Sequence, residues 1–383
     1  MAVATTPFTL LIKPSGSDCN IDCSYCFYKS RPAEVGQGRQ RMSDEVLDRL
    51  VKDYMTLRFP MSGFAWQGGE PTLMGLDFYK RAVELQKRYG ADGQEVGNSL
   101  QTNAILLNDE WCGFLRDAKF LVGISIDGPK DLHDRYRLDF SSAGTHERVL
   151  RALQRCRDLG VEFNTLTLIN RLTGDHPDEV FDFLIEQGVR YLQFIPCVEV
   201  DPRTGEVTDF SVTAEQLGRF WCGMFDRWYA YGPRKVSIRD FDSILAYYVT
   251  GRHTICTFDR QCSQYIVIEH AGDAFPCDFF VEPRWRLGNI FETPMDDLAA
   301  GALKREFARA KRNLCNRCLQ CRHLAICRGG CMKDRAPFDR EGFARESFFC
   351  EAYKVFFEYS MPRFMELASQ VRCGEPFRRE QLT

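Results

Sequence analysis

Six short apolar segments alternate with amphipathic segments along the first half of the chain, and this alternation constrains the fold more than any other feature. The apolar segments span residues 8–12, 63–67, 96–101, 120–126, 161–168 and 191–195. Stretch 43–57 illustrates the helical segments between them, because Ser43 suits a helix N-cap and the apolar residues that follow share one face. Repeated strand–helix units predict an α/β fold with a parallel sheet curled into a partial (β/α)6 TIM-like barrel.

A loop with three cysteines, Cys19, Cys23 and Cys26, follows the first predicted strand, and we call it the N-terminal cysteine loop. Thiolates at these spacings can occupy three corners of an iron–sulfur cube and leave one iron without a protein ligand. Such an iron can bind a small molecule and pass it an electron. The alternative is a structural zinc loop, although zinc prefers four ligands and no histidine lies nearby.

Chemically distinctive residues follow several of the predicted strands. Gly68-Gly69-Glu70-Pro71 follows the second strand, Thr102-Asn103 the third, Ser125 and Asp127 the fourth, and Pro196-Cys197 the sixth. In parallel α/β barrels, the C-terminal edge of the strands carries the active site. Each of these sequences is also a reasonable turn by itself, but their joint placement predicts a single active-site mouth.

Charge and hydropathy favour neither a nucleic-acid nor a membrane partner. The chain has 50 lysines and arginines and 53 acidic residues, which gives a net charge of −3, and no basic run stands out. No apolar run approaches the roughly 18 residues of a membrane span, and no signal-peptide pattern opens the chain. We therefore expect a cytoplasmic protein, whose 17 cysteines favour metal ligation over disulfides in that reducing compartment.

The cysteine loop, with an aromatic residue before its third cysteine, resembles the signature of the radical S-adenosylmethionine (radical SAM) superfamily. In that superfamily the open iron holds the amino and carboxylate groups of S-adenosylmethionine. The resemblance implies that the methionine amino group is bound by Gly68, Gly69 and Glu70. It also implies that backbone groups of Tyr25 and Val198 contact the adenine, and that Ser125 and Arg137 bind the ribose and the carboxylate. A solvated surface side chain is the alternative for Arg137.

The cysteines become dense again near the C-terminus. They are Cys256, Cys262, Cys277, Cys315, Cys318, Cys321, Cys327, Cys331 and Cys350. Residues 266–269 and 274–275 flank Ala271-Gly272-Asp273, which predicts a β-hairpin within this array. The spacing resembles the SPASM domain, a cluster-binding extension of peptide-modifying members of the superfamily. We therefore predict a radical SAM domain over residues 1–235 and a SPASM domain over residues 236–383.

The SPASM resemblance implies two further clusters, each with four cysteine ligands. The inner cluster would use Cys256, Cys262, Cys277 and Cys331, and the outer cluster Cys318, Cys321, Cys327 and Cys350. Full ligation leaves no open iron, so both would relay electrons or stabilise the domain, and the chain would carry three [4Fe–4S] clusters in all. Cys315 is left out because the pattern is complete without it, and two zinc sites are the competing interpretation.

Several stretches together resemble the anaerobic sulfatase-maturating enzymes, which convert a cysteine or serine of a nascent sulfatase to Cα-formylglycine. They are residues 11–14, 67–73, 98–103, 125–129, 276–279 and 285–290. The resemblance implies cleavage of S-adenosylmethionine, hydrogen abstraction from the substrate Cβ, and two partners: an unfolded sulfatase with a Cys/Ser-x-Pro/Ala-x-Arg segment, and an electron donor such as flavodoxin or ferredoxin.

Completing this oxidation requires a base for the thiol or hydroxyl proton and an acceptor for the second electron. Asp278, next to Cys277, is the predicted base, and the inner cluster is the predicted acceptor. The alternative for Asp278 is a turn residue or a hydrogen-bond acceptor that orders the cluster loop. Two other functions stay open: a thioether-forming peptide maturase, and a non-catalytic iron–sulfur or zinc protein, which Gly68-Gly69-Glu70 disfavours.

Overall fold

The computed structural model describes residues 6–30, 39–335 and 344–374. These residues form two compact units, each assembled from separate stretches of chain. The first unit contains the described residues up to Ile126, with His133–Asn164 and Cys262–Arg309. The second contains Asp127–Leu132, Thr165–Gln261 and the described residues from Ala310 onward. The domain boundary placed after residue 235 stays a prediction.

Ten strands are present in the described part of the chain. They are β1 (Thr9–Lys13), β2 (Met61–Trp66), β3 (Glu95–Thr102), β4 (Leu121–Ser125), β5 (Phe163–Ile169), β6 (Tyr191–Pro196), β7 (Ser237–Ile238), β8 (Tyr265–Glu269), β9 (Asp273–Phe275) and β10 (Gly288–Asn289). In the first unit the order is β10-β9-β8-β1-β2-β3-β4, and β1 to β4 pair in parallel. In the second unit β5, β6 and β7 pair in parallel. The six predicted strands β1 to β6 and the parallel α/β class are confirmed.

Fourteen α-helices occur among the same described residues. They are α1 (Asp44–Met55), α2 (Leu76–Tyr89), α3 (Asp109–Asp117), α4 (Lys130–His133), α5 (His146–Asp158), α6 (Pro177–Glu186), α7 (Ala214–Tyr231), α8 (Arg239–Thr250), α9 (Met295–Ala300), α10 (Ala302–Ala310), α11 (Asn316–Leu319), α12 (Leu324–Cys327), α13 (Met332–Arg335) and α14 (Cys350–Arg372). Helix α1 begins as predicted, with the Ser43 hydroxyl accepting a hydrogen bond of 3.2 Å from the Val46 amide.

The predicted hairpin is present as β8 and β9, and it adds to the sheet beside β1. Strand β8 pairs with β1 in parallel, with Thr9 opposite Tyr265 and Lys13 opposite Glu269. It then pairs with β9 in antiparallel orientation, which buries Val267 against Phe275. Asp278, three residues beyond the end of β9, lies against Lys13 at the C-terminal end of β1.

The second unit is built around aromatic side chains of α7, α8 and α14. Phe225 and Trp228 of α7 are fully buried, and their rings lie 5.5 and 5.3 Å from that of Phe241 on α8. Phe364 of α14 lies 4.8 Å from Phe225. The buried aromatic residues of α7, Phe220, Trp221, Phe225 and Trp228, are therefore core residues. In the part of the chain that the structure describes, no helix is both long and apolar enough to cross a membrane.

Candidate active site and cluster sites

The N-terminal cysteine loop leaves β1 and is held by the segment that follows β2. The Gly69 amide donates to the Gly16 carbonyl at 2.9 Å, and the Glu70 amide donates to the Asp18 carbonyl at 2.8 Å. The two glycines are required by this close approach, because a Cβ at Gly69 would lie 2.1 Å from the Asp18 oxygen. Gly68 adopts a φ of +126°, which also favours glycine.

The three thiols of the loop fit a cluster site by their chemistry. Burial, together with the charges of Glu70, Cys23 and Cys26, raises the pKa of the Cys19 thiol to about 12. Three thiols that lie close enough to disfavour each other's ionisation need a cationic group before all can act as thiolates. The donor set therefore suits an iron–sulfur cluster, as the spacing predicts.

Glu70 is fully buried, and its carboxylate ties together the ends of β2 and β3. Its Oε1 accepts from the Thr72 amide at 3.0 Å and from the hydroxyls of Thr72 and Thr102 at 2.6 and 2.7 Å. Its Oε2 accepts from the Asn103 amide at 2.8 Å. Burial raises the pKa of Glu70, and these hydrogen bonds oppose that shift. Because Asn103 also contacts Cys19 at 3.8 Å, the network extends to the cysteine loop.

Asp278 lies at the start of a 3-10 helix, Asp278–Phe280, directly after Cys277. Its Oδ1 accepts from the Lys13 ammonium, and its Oδ2 accepts from the Tyr28 hydroxyl at 2.9 Å and from the Gln67 amide at 3.0 Å. The carboxyl group is 8% exposed, so it is nearly buried and still reaches the surface of the site. An ammonium and two neutral donors hold it as an ionised, oriented acceptor.

The sequence predicts no role for the three donors, Lys13, Tyr28 and Gln67. Lys13 is the last residue of β1 and Gln67 precedes the two glycines, so both occupy strand ends where active-site residues are expected. Tyr28 lies two residues after Cys26 and not at a strand end, so its position in the sequence does not mark it as an active-site residue. Lys13 is fully buried and also pairs with Glu269 at 3.4 Å, so one lysine lies between two carboxylates.

The other predicted S-adenosylmethionine contacts are divided between the two units. In the first unit, Arg137 is buried, which rules out a solvated surface arginine, and its guanidinium donates to the Tyr25 hydroxyl at 3.0 Å. Ser125 closes β4 and accepts from Gln101 at 3.0 Å. Val198 belongs to the second unit, where its carbonyl accepts from the Lys333 ammonium at 2.7 Å.

The four cysteines predicted for the outer cluster line one cavity in the second unit. The cavity has about 430 Å³ of empty volume, part of it open to solvent. Its lining includes Cys318, Cys321, Cys327 and Cys350, with the rings of Tyr353 and Phe357. Four thiols around one space suit a fully ligated cluster. Cys315 lies beside Cys318, but it is not among the described residues that line the cavity.

The cysteines predicted for the inner cluster are divided between the units. Cys262 and Cys277 belong to the first unit, and Cys256 and Cys331 to the second. Over the described ranges, no disulfide joins any of the 17 cysteines. No group of three or more His, Cys, Asp or Glu side chains among the described residues is arranged to hold a single metal ion.

Two family models match the chain. The Radical SAM superfamily model matches residues 14–184, and the SPASM iron–sulfur cluster-binding domain matches residues 256–322. The chain is 36% identical to a cysteine-type anaerobic sulfatase-maturating enzyme of Clostridium perfringens, over 96% of this chain and 100% of that protein. It is 34% identical to a serine-type anaerobic sulfatase-maturating enzyme of Bacteroides thetaiotaomicron, over 93% of this chain and 90% of that protein.

The fold is also similar to that of a solved structure, native anSMEcpe with bound AdoMet and Cp18Cys peptide. The TM-score is 0.88 at 35% sequence identity, and the match covers 96% of this chain and 100% of that one. Together with the SPASM match, this similarity confirms the predicted fold class, a radical SAM α/β fold followed by a C-terminal cysteine-rich domain.

Proposed function

Because the chain belongs to the anaerobic sulfatase-maturating enzymes of the radical SAM superfamily, we propose that it oxidises a cysteine or serine of a sulfatase to Cα-formylglycine without oxygen. Its substrate is an unfolded Cys/Ser-x-Pro/Ala-x-Arg segment, and its electron donor is a flavodoxin or ferredoxin. The observation that carries the proposal is the Asp278 carboxylate, held by Lys13, Tyr28 and Gln67 at the end of the strand that leads into the cysteine loop.

The cofactors of the proposed reaction are S-adenosylmethionine and three [4Fe–4S] clusters. The N-terminal cysteine loop offers three thiolates, which suits a cluster with an open iron, and the eight C-terminal cysteines suit two fully ligated clusters. When bound, these groups supply hydrogen abstraction from the substrate Cβ and an acceptor for the second electron.

Asp278 takes the thiol or hydroxyl proton of the substrate as the second electron leaves. This role needs an ionised carboxylate, which the Lys13 ammonium favours by its charge. Tyr28 and Gln67 both donate to Oδ2, so they fix the plane of the carboxylate. When Asp278 becomes protonated, Lys13 keeps Glu269 as an ion-pair partner at 3.4 Å, so the buried ammonium remains compensated.

The segment Gly68-Gly69-Glu70 binds the methionine amino group through its carbonyl oxygens in this proposal. An amino group donates hydrogen bonds and needs acceptors. The Glu70 carboxylate already accepts four hydrogen bonds inside the fold, so the backbone oxygens are the better acceptors. We propose Tyr25, Ser125, Arg137 and Val198 as the remaining contacts, and the burial of the Arg137 guanidinium supports its role in binding a carboxylate.

The test is to incubate the reduced, anaerobically loaded protein with S-adenosylmethionine and a Cys-x-Pro-x-Arg peptide or its serine counterpart. We expect 5′-deoxyadenosine and a peptide whose mass corresponds to formylglycine. The relative yield from the two peptides assigns the preferred residue. A crosslinked peptide without formylglycine would indicate a thioether-forming maturase, and a loaded protein that produces no 5′-deoxyadenosine would refute the proposed reaction.

A further inference from the structure

Lys304 is a buried lysine that the proposed reaction does not use, and it lies beside two predicted ligands of the inner cluster. The side chain leaves α10, is 4% exposed, and donates to the carbonyls of Tyr265 at 2.7 Å and Pro276 at 3.1 Å. Burial lowers the pKa of Lys304 to about 8, and the thiolates of Cys277 and Cys262 oppose that shift. Because Pro276 immediately precedes Cys277, the Lys304 ammonium lies close to that cysteine.

Tyr265 reaches the same place from β8. Its hydroxyl lies 3.4 Å from the Cys277 sulfur, within hydrogen-bonding distance for a sulfur acceptor, while its carbonyl accepts from Lys304. When Cys277 is a thiolate ligand, the hydroxyl is the group with a proton to donate. The sulfur thus has one hydrogen-bond donor in contact and one buried positive charge nearby, both within the first unit.

We propose that Lys304 and Tyr265 raise the reduction potential of the inner cluster and thereby make it a better acceptor for the second electron of the substrate. The inference rests on the proposed function, because it takes Cys262 and Cys277 as cluster ligands. Hydrogen bonds to cluster sulfurs and nearby charge are established determinants of cluster potential. Both residues act through the cluster, so they are positioning residues.

The direction of the shift in the reduction potential follows from charge balance. In the second half of the oxidation the substrate loses one electron to the inner cluster and one proton to Asp278, so the cluster gains one negative charge. A positive charge and a hydrogen-bond donor at its ligands stabilise that reduced form more than the oxidised one. Removing either group therefore lowers the potential of this cluster and disfavours electron acceptance.

The experiment measures the midpoint potentials of the auxiliary clusters by redox titration followed by electron paramagnetic resonance. The starting protein carries alanine at the three positions of the N-terminal cysteine loop, so that only the inner and outer clusters contribute. Cys277→Ala in this background identifies the inner signal by its loss. The test variants Tyr265→Phe, Lys304→Met and Lys304→Arg are made in the same background. Tyr54→Phe is the control, because Tyr54 is a buried tyrosine whose hydroxyl donates to the Phe8 carbonyl.

A hydrogen bond that is about tenfold more favourable to the reduced than to the oxidised cluster raises a one-electron potential by about 59 mV, so Tyr265→Phe should lower the inner potential by up to about that amount. Lys304→Met should shift it in the same direction, and Lys304→Arg should restore part of it. The outer potential serves as an internal reference and should not move, and neither potential should move in Tyr54→Phe.

The inference is overturned if Tyr265→Phe and Lys304→Met keep their iron and their inner potential stays unchanged. Should Lys304→Met fail to load iron, Tyr265→Phe still decides, because it removes one oxygen atom without changing the packing of the ring. Failure of the proposed function looks different. In that case the unmodified protein yields no formylglycine, or Cys277→Ala leaves every cluster signal in place.

Discussion

Asp278→Asn separates hydrogen abstraction from completion of the oxidation, because the two steps depend on different residues. The change removes the negative charge and the capacity to take a proton. It keeps one side-chain oxygen that can still accept from Lys13, and the new amide faces Tyr28 and Gln67. A tyrosine hydroxyl can turn to accept, and a glutamine side chain can present its oxygen, so the local hydrogen bonds can re-form.

Asp278→Asn should reduce activity more than it reduces stability. A general base typically contributes about 10²–10⁴-fold, or roughly 3–5 kcal/mol of barrier, so formylglycine formation should fall by that range. The folding cost should be smaller, about 1–2 kcal/mol, since a hydrogen bond to a charged group becomes one between less charged partners. Lys13 retains Glu269 at 3.4 Å, so its buried charge stays compensated.

The assay measures formylglycine and 5′-deoxyadenosine in the same reaction, each normalised to iron content. We expect the ratio of formylglycine to 5′-deoxyadenosine to fall steeply in Asp278→Asn, while cluster loading stays near that of the unmodified protein. Glu269→Gln is the matched control, because it removes the other carboxylate that pairs with Lys13 and leaves Asp278 in place. Its ratio should stay within a few-fold of the unmodified protein.

Three results would refute the assignment of Asp278 as the base. If the ratio is unchanged, Asp278 is not the base, and another carboxylate such as Asp127 must be tested. If iron content falls and both products fall in proportion to it, Asp278 orders the cluster loop. An equal loss of ratio in Glu269→Gln would show that the charge on Lys13, and not a proton acceptor, controls the reaction.

Three further predictions concern the cysteine loop and its supports. Alanine at all three positions of the N-terminal cysteine loop should abolish 5′-deoxyadenosine formation and reduce iron from about twelve to about eight per chain; retained cleavage of S-adenosylmethionine would contradict its role. Glu70→Ala should destabilise the protein by about 2–4 kcal/mol in denaturant unfolding, because buried donors including the Asn103 amide lose their acceptor; a loss under about 0.5 kcal/mol would show that the network adds little. Gly69→Ala should force the cysteine loop away from its position, at a cost of about 1–3 kcal/mol, and lower 5′-deoxyadenosine formation. Gly97→Ala is its control, since a Cβ there meets no atom within 4 Å, and equal losses in both variants would exclude the close approach as the cause.

Local patterns in the sequence were sufficient to predict β1 to β6, the start of α1 and the β8–β9 hairpin. Each of β1 to β6 overlaps a segment predicted from its apolar run, and α1 begins after Ser43 because a hydroxyl at that position caps the first turn. The β8–β9 hairpin follows from apolar residues on both sides of Ala271-Gly272-Asp273. These features depend on residues close together in the chain, so short windows contain the information.

The sequence also determined which cysteines are candidates for cluster binding, because ligand spacing is itself a sequence property. The four cysteines of the predicted outer set line one cavity in the second unit, and their role as cluster ligands stays a prediction. Family membership was likewise predicted from motifs, and the similarity to characterised relatives confirms it.

Only the tertiary structure decided what surrounds Asp278. The parallel pairing of β8 with β1 joins segments about 250 residues apart, as Lys13 opposite Glu269 shows, and no local pattern specifies such a pairing. The Asp278 carboxylate accepts from Lys13 of β1, and from Tyr28 and Gln67 in the segments that follow β1 and β2. The position of Asp278 next to Cys277 therefore identified it as a candidate base, whereas contacts between residues distant in the chain supplied the ammonium and the two donors that favour its ionised form and orient it.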